Sequence, residues 1–330
     1  MIFSGRQSIV TFCAAIALPV LVSCQPTPVE NNDDLENPVV SPTPEASAVA
    51  PDSDAIKFGV LTIDSVVSVN ERYAPLMEYL EERLEQDVEL VSLTQETQFT
   101  KVADQEIDFT TNNPLASVQV RRLYDTEFLV THSRPATETQ FSGLIIAGVD
   151  SEINTLEDLR GKQGACVNFQ TAAAGCVFQV FHLIERGIDP YTDFSSFTEM
   201  PSQDNIVLGV LNGSLDFGFI RTGQLEKMVR KGLIASTDEV KILEPMADDF
   251  FYEHTTALYP EWPIAALPHV EPELKESVKQ ALLEIPSNHP ALNAIGLTSF
   301  VSAVDYSDLD RLIETLELKT WDVSSNLETP

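Results

Sequence analysis

Ile56-Lys57-Phe58-Gly59-Val60-Leu61 reads as a strand, and it ends in a polar turn at residues 62–65, which carries Thr62, Asp64 and Ser65. Beyond the turn, Tyr73, Leu76, Met77, Leu80 and Leu84 fall at helical spacing, with Glu78, Glu81, Glu82 and Arg83 outside that face. A second strand reads over residues 88–93. A short helix then runs through Phe99 and Val102, and Ile107-Asp108-Phe109-Thr110 is a third strand. This βαβαβ order predicts a mostly parallel sheet with its ligand-facing loops at the strand C-terminal ends, at residues 62–65 and 111–114.

A second set of elements begins near Gly143. Thr155 is placed to cap a short helix through Leu156 and Leu159, and residues 164–167 form a short strand. Residues 171–186 read as a helix with Val177, Val180, Phe181 and Ile184 on one face, closed by Gly187, and Ser202 caps the helix bearing Ile206, Val207, Val210 and Leu211. Leu215-Asp216-Phe217-Gly218-Phe219-Ile220 then echoes Ile107-Asp108-Phe109-Thr110, with an Asp second in each. The echo suggests two α/β lobes on one plan, with a ligand cleft between them. After His254 the pattern returns to helices, with Pro272 in one first turn and Asp308 as a cap before Leu309, Leu312, Ile313 and Leu316.

The N-terminal residues indicate the compartment. A lone Arg6 precedes an apolar run from Ile9 to Val22, and Leu21-Val22-Ser23-Cys24 closes it. About fourteen apolar residues interrupted by Pro19 are too few to span a bilayer. The pattern is that of a secretion signal of the lipoprotein kind, with Cys24 as the acylated residue. Between Gln25 and Asp54 lie six prolines, seven acidic residues and no Lys or Arg, the composition of an extended tether. The expected organisation is a signal at 1–23, lipidated Cys24 and tether at 24–54, a first lobe at 55–145, a second at 146–250, and a return to the first lobe at 251–330. The expected location is the periplasm or the outer side of the cytoplasmic membrane, held by lipid.

Of the 330 residues, 20 are Lys or Arg and 51 are Asp or Glu, a formal charge of -31. Such a surface repels phosphate backbones, so no nucleic-acid partner is expected. No glycine-rich phosphate loop, nucleophile elbow or His-Glu-x-x-His helix is present, and the five histidines are scattered, so the reading is a non-enzyme with neither metal nor cofactor. Arg221 and Thr222 directly follow the strand at 215–220, at a strand C-terminal end. The Arg fork suits an oxyanion or carboxylate there, or a salt bridge to an acidic neighbour. Asn112 and Asn113 hold the equivalent place in the other lobe, where they donate to a ligand or close the turn before Pro114. Thr171, Ala172, Ala173, Ala174 and Gly175 open a helix, where free amides favour an anion; alternatively Thr171 is only a cap. Cys166 ends a strand and Cys176 lies in the helix folding back over it, so the two form a disulfide in an oxidising compartment or remain buried thiols.

Five segments in order carry a family resemblance: Phe58-Gly59-Val60-Leu61 with Tyr73-Ala74-Pro75-Leu76; Ile107-Asp108-Phe109 with Asn112-Asn113-Pro114; Leu156-Glu157-Asp158-Leu159-Arg160-Gly161-Lys162; Gly187-Ile188-Asp189-Pro190; and Val210-Leu211-Asn212-Gly213-Ser214-Leu215-Asp216. Over residues 56–318 the chain resembles the phosphate/phosphite/phosphonate-type periplasmic solute-binding proteins of ABC importers. The resemblance implies a two-lobed type II binding protein, without catalysis, that closes on a small oxyanion and delivers it to a permease. It also implies ligand contacts from residues 62–65, Asn112, Asn113, residues 171–175, Arg221 and Thr222. Where the transport proteins usually show a Ser-Thr-Ser-Gly type turn, this chain has Ala172-Ala173-Ala174-Gly175, so backbone donors remain and hydroxyls do not. Residues 217–222 and 258–263 are similar to periplasmic sensor domains of tetrathionate-sensor-like histidine kinases. The alternative is therefore an accessory that signals to a kinase, with an oxidised sulfur anion or small carboxylate as ligand. A monomer is expected in either case.

Replacing Cys24 by Ala is expected to release the protein from the membrane fraction or to block its processing. Intact-mass measurement of the mature N-terminus checks this, and cleavage elsewhere without lipid refutes it.

Overall fold

The computed structural model describes residues 55–63, 65–95 and 97–318. Cys24, the tether and Asp64 lie outside the described residues. The first lobe opens with β1 (Ile56–Leu61), α1 (Val66–Leu84), β2 (Val88–Leu93), α2 (Thr97–Ala103), β3 (Phe109–Thr111), α3 (Pro114–Tyr124) and β4 (Glu127–Ser133). After β5 (Gln140–Phe141) the second lobe supplies β6 (Gly143–Gly148), β7 (Gln163–Cys166), α4 (Phe178–Ile184), α5 (Pro190–Asp193), β8 (Ser196–Glu199), α6 (Gln203–Leu211), β9 (Phe217–Arg221), α7 (Gln224–Arg230) and β10 (Val240–Ile242). The chain returns through β11 (Tyr259–Pro260) to β12 (Pro263–Ala266), α8 (Pro272–Glu284), α9 (Pro290–Ile295), β13 (Ser299–Ser302) and α10 (Ser307–Thr315).

The two sheets are built on one plan. The first runs β13-β4-β12-β3-β1-β2 and the second β10-β6-β9-β7-β8. In each, three strands are parallel (β2, β1, β3 and β8, β7, β9), and the next two, β12 and β4 or β6 and β10, join antiparallel. The sheets are thus mixed, α/β with a parallel half and an antiparallel half. The reason is topological: β12 and β6 are entered from the opposite lobe with no crossover helix, so each pairs antiparallel with its neighbours.

The sequence echo has a physical basis in these sheets. Asp108 accepts a hydrogen bond from Lys57 N at 2.7 Å and returns its own amide to Lys57 O at 2.8 Å. Asp216 accepts from Gln163 N at 2.7 Å and returns its amide to Gln163 O at 2.9 Å. Each carboxylate therefore satisfies a backbone donor at the start of the middle strand of its lobe's parallel half, β1 or β7, which would otherwise be unpaired.

Two crossings join the lobes through the antiparallel ribbon of β5 and β11. Beside it, Ser142 and Gly143 are clasped by buried hydroxyls. Thr222 Oγ1 accepts from Ser142 N at 3.2 Å, Thr256 Oγ1 from Gly143 N at 3.0 Å, and Thr255 Oγ1 from Ile145 N at 3.1 Å. An apolar core continues across this region, with Leu115 and Val118 of α3 in one cluster with Ala172, Phe178, Tyr259, and Tyr306, Leu309 and Leu312 at α10.

Three local expectations change. The helix expected over 171–186 starts at Ala173, as a π-helical turn, Ala173–Val177, leading into α4. Thr155 does not cap the following 3₁₀ turn; its hydroxyl donates to Asp158 at 3.0 Å. Asp308 lies inside α10, and Tyr306 takes the cap position without a side-chain bond. In the last two places an acidic residue in the first turn offsets the exposed amides electrostatically, so a side-chain cap is dispensable.

Gly164 marks a close approach in the second lobe, because a methyl group there would overlap the buried ring of Phe217. Gly164→Ala is expected to cost about 1–3 kcal/mol by overpacking, read as a lower urea midpoint with an unchanged slope.

Candidate functional site

The C-terminal ends of β1, β3, β7 and β9 carry the residues singled out by sequence, and the helices that follow bring several of them to the seam between the lobes. Asn113 caps α3: its Oδ1 accepts from Ala116 N at 3.1 Å, while its Nδ2 crosses to the second lobe and donates to Thr171 O at 3.0 Å. Gln119 Nε2 makes a second crossing to Gln170 O at 3.4 Å. The seam is therefore latched by α3 against the loop before the π-helical turn.

That loop is shaped by Asn168, whose Oδ1 accepts from Gln170 N, Thr171 N and the Thr171 hydroxyl at 3.0, 2.9 and 2.7 Å. Thr171 is thus part of a side-chain turn and not the helix cap. Ala172, Ala173 and Ala174 are buried against α3, and the amides of residues 173–176 precede the first π-helical bond, from Val177 N to Ala172 O at 3.0 Å. Cys166 and Cys176 are joined by a disulfide with Cα atoms 5.0 Å apart, which ties the end of β7 to this turn. Small side chains are required here because Gly175 faces Gln203 and Val167 closely; a Cβ would stand 3.1 Å from Gln203 Nε2.

The remaining expected residues have structural engagements. Ser65 is exposed and caps α1, accepting from Ser68 N at 3.1 Å. Asn112 is buried, donates to Gln98 Oε1 and accepts from Asn113 N at 2.9 Å. Thr222 is buried and its amide donates to Ser142 O at 2.9 Å, so it belongs to the hinge clasp. Arg221 is half-buried at the end of β9; its amide donates to Gln203 Oε1 at 2.8 Å and its Nη1 to Thr222 O at 3.4 Å. Thr62, which follows β1, has a buried Oγ1 with no hydrogen-bond partner among the described residues.

The structure adds a cluster that sequence reading missed, at the same edge of the first sheet beside the hinge. It comprises Arg72 and Tyr73 of α1, Thr111 of β3, His132 and the adjoining Arg134 from β4, and Glu261 and Trp262 before β12. Arg134 Nε donates to Glu261 Oε1 at 2.7 Å, and Glu261 is buried. Burial works against the Arg134 charge, but the charge and hydrogen bond of Glu261 outweigh it and leave the pKa raised. Burial, with the charges of Arg134 and Arg72 nearby, holds the His132 ring well below its ordinary value. No signal in the sequence marks this cluster, since its members lie up to 190 positions apart. Among the described residues no group of three or more His, Cys, Asp or Glu is arranged to hold a metal ion, and no helix is long and apolar enough to cross a membrane.

Residues 58–309 match the family model described as ABC transporter, phosphonate, periplasmic substrate-binding protein. A tetrathionate sensor histidine kinase of Salmonella typhimurium is 26% identical over 236 residues, which are 70% of this chain and 39% of the kinase. The chain thus spans about two fifths of the length of that curated relative. Among solved structures, a Xanthomonas citri protein bound to ATP superposes with a TM-score of 0.65 at 18% identity, covering 82% of this chain and 98% of that one. A Prochlorococcus marinus protein in complex with methylphosphonate gives 0.65 at 14% identity, covering 80% and 99%. A binding protein component of an ABC phosphonate transporter from Pseudomonas aeruginosa gives 0.63 at 15%, covering 84% and 90%. These structural likenesses concern the fold.

His182 of α4 is a second buried histidine, held down to about 4 by burial and by the Arg186 charge. Its folded pKa lies below the unfolded value of about 6.5, so it costs nothing above that pH; below it the unfolded chain takes up a proton that the folded chain refuses. Stability is then lost at about 1.4 kcal/mol per pH unit until the folded ring protonates. Urea titrations at pH 7 and 5 are expected to show His182→Gln losing about 2 kcal/mol less than the wild type between the two.

Proposed function

The chain belongs to the family of phosphonate-type periplasmic substrate-binding proteins of ABC transporters, and from that premise we propose that it is an extracytoplasmic lipoprotein that captures a small oxyanion for an importer. The observation that carries this reading is the meeting of two helix starts across the seam. Asn113 at the head of α3 touches Thr171, two residues before the π-helical turn that leads into α4. Unsatisfied amides and aligned peptide dipoles at such ends favour negative charge. Arg221, which closes β9 beside the hinge clasp, supplies a fixed cation to the same edge of the second lobe. With alanines at positions 172–174, recognition rests on backbone donors and on arginine.

The binding cycle follows from the joints. The hinge clasp holds the ribbon while the Asn113 and Gln119 contacts part and reform, exposing or enclosing the seam. Cys24 tethers the loaded protein to the membrane, where a permease receives the solute. A second reading, in which the loaded form is presented to a histidine kinase, is favoured by the tetrathionate sensor relative, and its ligand would be an oxidised sulfur anion or small carboxylate. In both readings the chain works as a monomer.

A thermal-shift series with phosphate, phosphite, methylphosphonate, sulfate, thiosulfate, tetrathionate and small carboxylates is expected to reveal stabilisation by one oxyanion class. Calorimetry on Arg221→Ala is then expected to show affinity lower by about thirtyfold or more, the loss for a desolvated charge-assisted contact. Binding of neutral solutes alone would falsify the oxyanion reading, and equal binding by the variant removes Arg221 from the site.

A further inference from the structure

The cluster beside the hinge contains donors that the protein itself leaves unmatched. Arg134 spends only its Nε on Glu261; its two terminal nitrogens have no hydrogen-bond partner among the described residues, and its side chain is 28% exposed. Glu261 is itself held, because its second oxygen accepts from Trp262 N at 3.2 Å and its side chain is only 4% exposed. A buried, doubly anchored carboxylate therefore fixes the guanidinium and leaves the two-nitrogen fork open, a preorganised geometry for a planar or tetrahedral oxyanion.

Arg72 stands one position from Tyr73 on α1 and is half-buried. Among the described residues it makes no ion pair, and its contact is with the Tyr73 ring, 6.0 Å from guanidinium to centroid. The Tyr73 hydroxyl likewise has no hydrogen-bond partner among the described residues, and the charges of Arg72, Arg134 and Glu261 all act on it. Thr111 Oγ1 donates to Pro263 O at 3.0 Å, so the His132 ring at 3.2 Å donates to Thr111 through Nε2, and burial with the Arg134 and Arg72 charges favours its uncharged form. His132 thus adds no counter-charge. Among the described residues two guanidinium groups meet one carboxylate here, while residues 55–330 carry a net charge of -25. A cationic excess in so acidic a protein is an arrangement that an anion completes.

The position is suited to a ligand. Thr111 ends β3, His132 lies near the end of β4 and Trp262 precedes β12, so the cluster occupies the edge of the first sheet from which the chain leaves for the second lobe. We propose that Arg72 and Arg134 form an anion-binding subsite on the first lobe, which takes oxyanion oxygens of the ligand held at the seam. The inference rests on the oxyanion reading above and adds a contact from the lobe opposite Arg221.

The test is calorimetry of the full chain with methylphosphonate, phosphate, sulfate and tetrathionate, comparing the wild type with Arg72→Gln, Arg72→Lys and Arg221→Ala. Arg72→Gln is expected to weaken the bound anion by about tenfold or more with an unchanged melting temperature in its absence, and Arg72→Lys to fall between. If Arg72→Gln does not fold, Arg72→Lys carries the comparison alone, since it keeps the charge and stem and removes the fork. Affinity unchanged in the Arg72 variants but lost in Arg221→Ala overturns the subsite and leaves the oxyanion reading standing. A wild type that binds none of these anions overturns both.

Discussion

The hydroxyl clasp around Ser142 and Gly143 is the constraint on which the two-lobed arrangement depends. The chain passes between the lobes twice, and both passages meet in a ribbon only two residues deep. A pair of strands that short has little stability of its own. The chain just beyond it is held instead by Thr222, Thr256 and Thr255, whose hydroxyls accept from Ser142, Gly143 and Ile145, and the Ser142 hydroxyl lies 2.8 Å from both the carbonyl and the hydroxyl of Thr256. Each such bond is worth about 1 kcal/mol net, but leaving one of these buried groups unpaired costs more, so the clasp holds as a unit. Because Thr222 belongs to it, the loop bearing Arg221 is mechanically part of the hinge.

On the other side of the seam the connection is much lighter. Two side-chain bonds, from Asn113 and Gln119, cross to carbonyls of the loop at residues 170–171, and both acceptors are backbone oxygens that water can also satisfy. The apolar contact of Leu115 and Val118 with Ala172, Ala173 and Ala174 adds modest area, because alanine offers little surface. The disulfide of Cys166 and Cys176 ties the latch loop to the end of β7 and so restrains the amides at the start of the π-helical turn.

Much of this fold was legible because local chemistry repeats. The strands at residues 56–61 and 88–93 and the helix starts at Pro272 and Ser202 follow from apolar spacing and caps that act within a few residues. The two Asp echoes were visible because each carboxylate does the same work on the amide of a central strand. The antiparallel half of each sheet was not visible, since β12 and β6 are paired by the route of the chain between lobes and not by their own composition. The strand ends were legible too, so the positions of Asn112 just beyond β3 and Arg221 at the end of β9 follow from sequence. Asn112, Ser65 and Thr222 looked equivalent from sequence, yet the structure commits them to packing, capping and hinge. Arg72 was invisible for the opposite reason: apart from Tyr73, its surroundings come from residues 39 to 190 positions away.

Charge links these observations. A protein whose residues 55–330 sum to a net charge of -25 sets up a long-range field that opposes the approach of any anion, whatever its site offers. That field is screened within about 8 Å at physiological ionic strength, whereas a guanidinium in a partly buried seam acts over contact distances and at lower effective dielectric. Half of the ten arginine side chains among the described residues are paired with surface carboxylates: Arg83 with Glu284, Arg121 and Arg122 with Asp310, Arg160 with Glu157 and Asp193, and Arg311 with Asp308. Such exposed pairs add little stability. They do place positive charge away from the ends of β9 and β4, where Arg221 and Arg134 lie. On the proposed reading, capture of an anion is thus a short-range event, selective for a ligand that reaches the guanidinium groups, and the acidic exterior discourages anions from binding elsewhere.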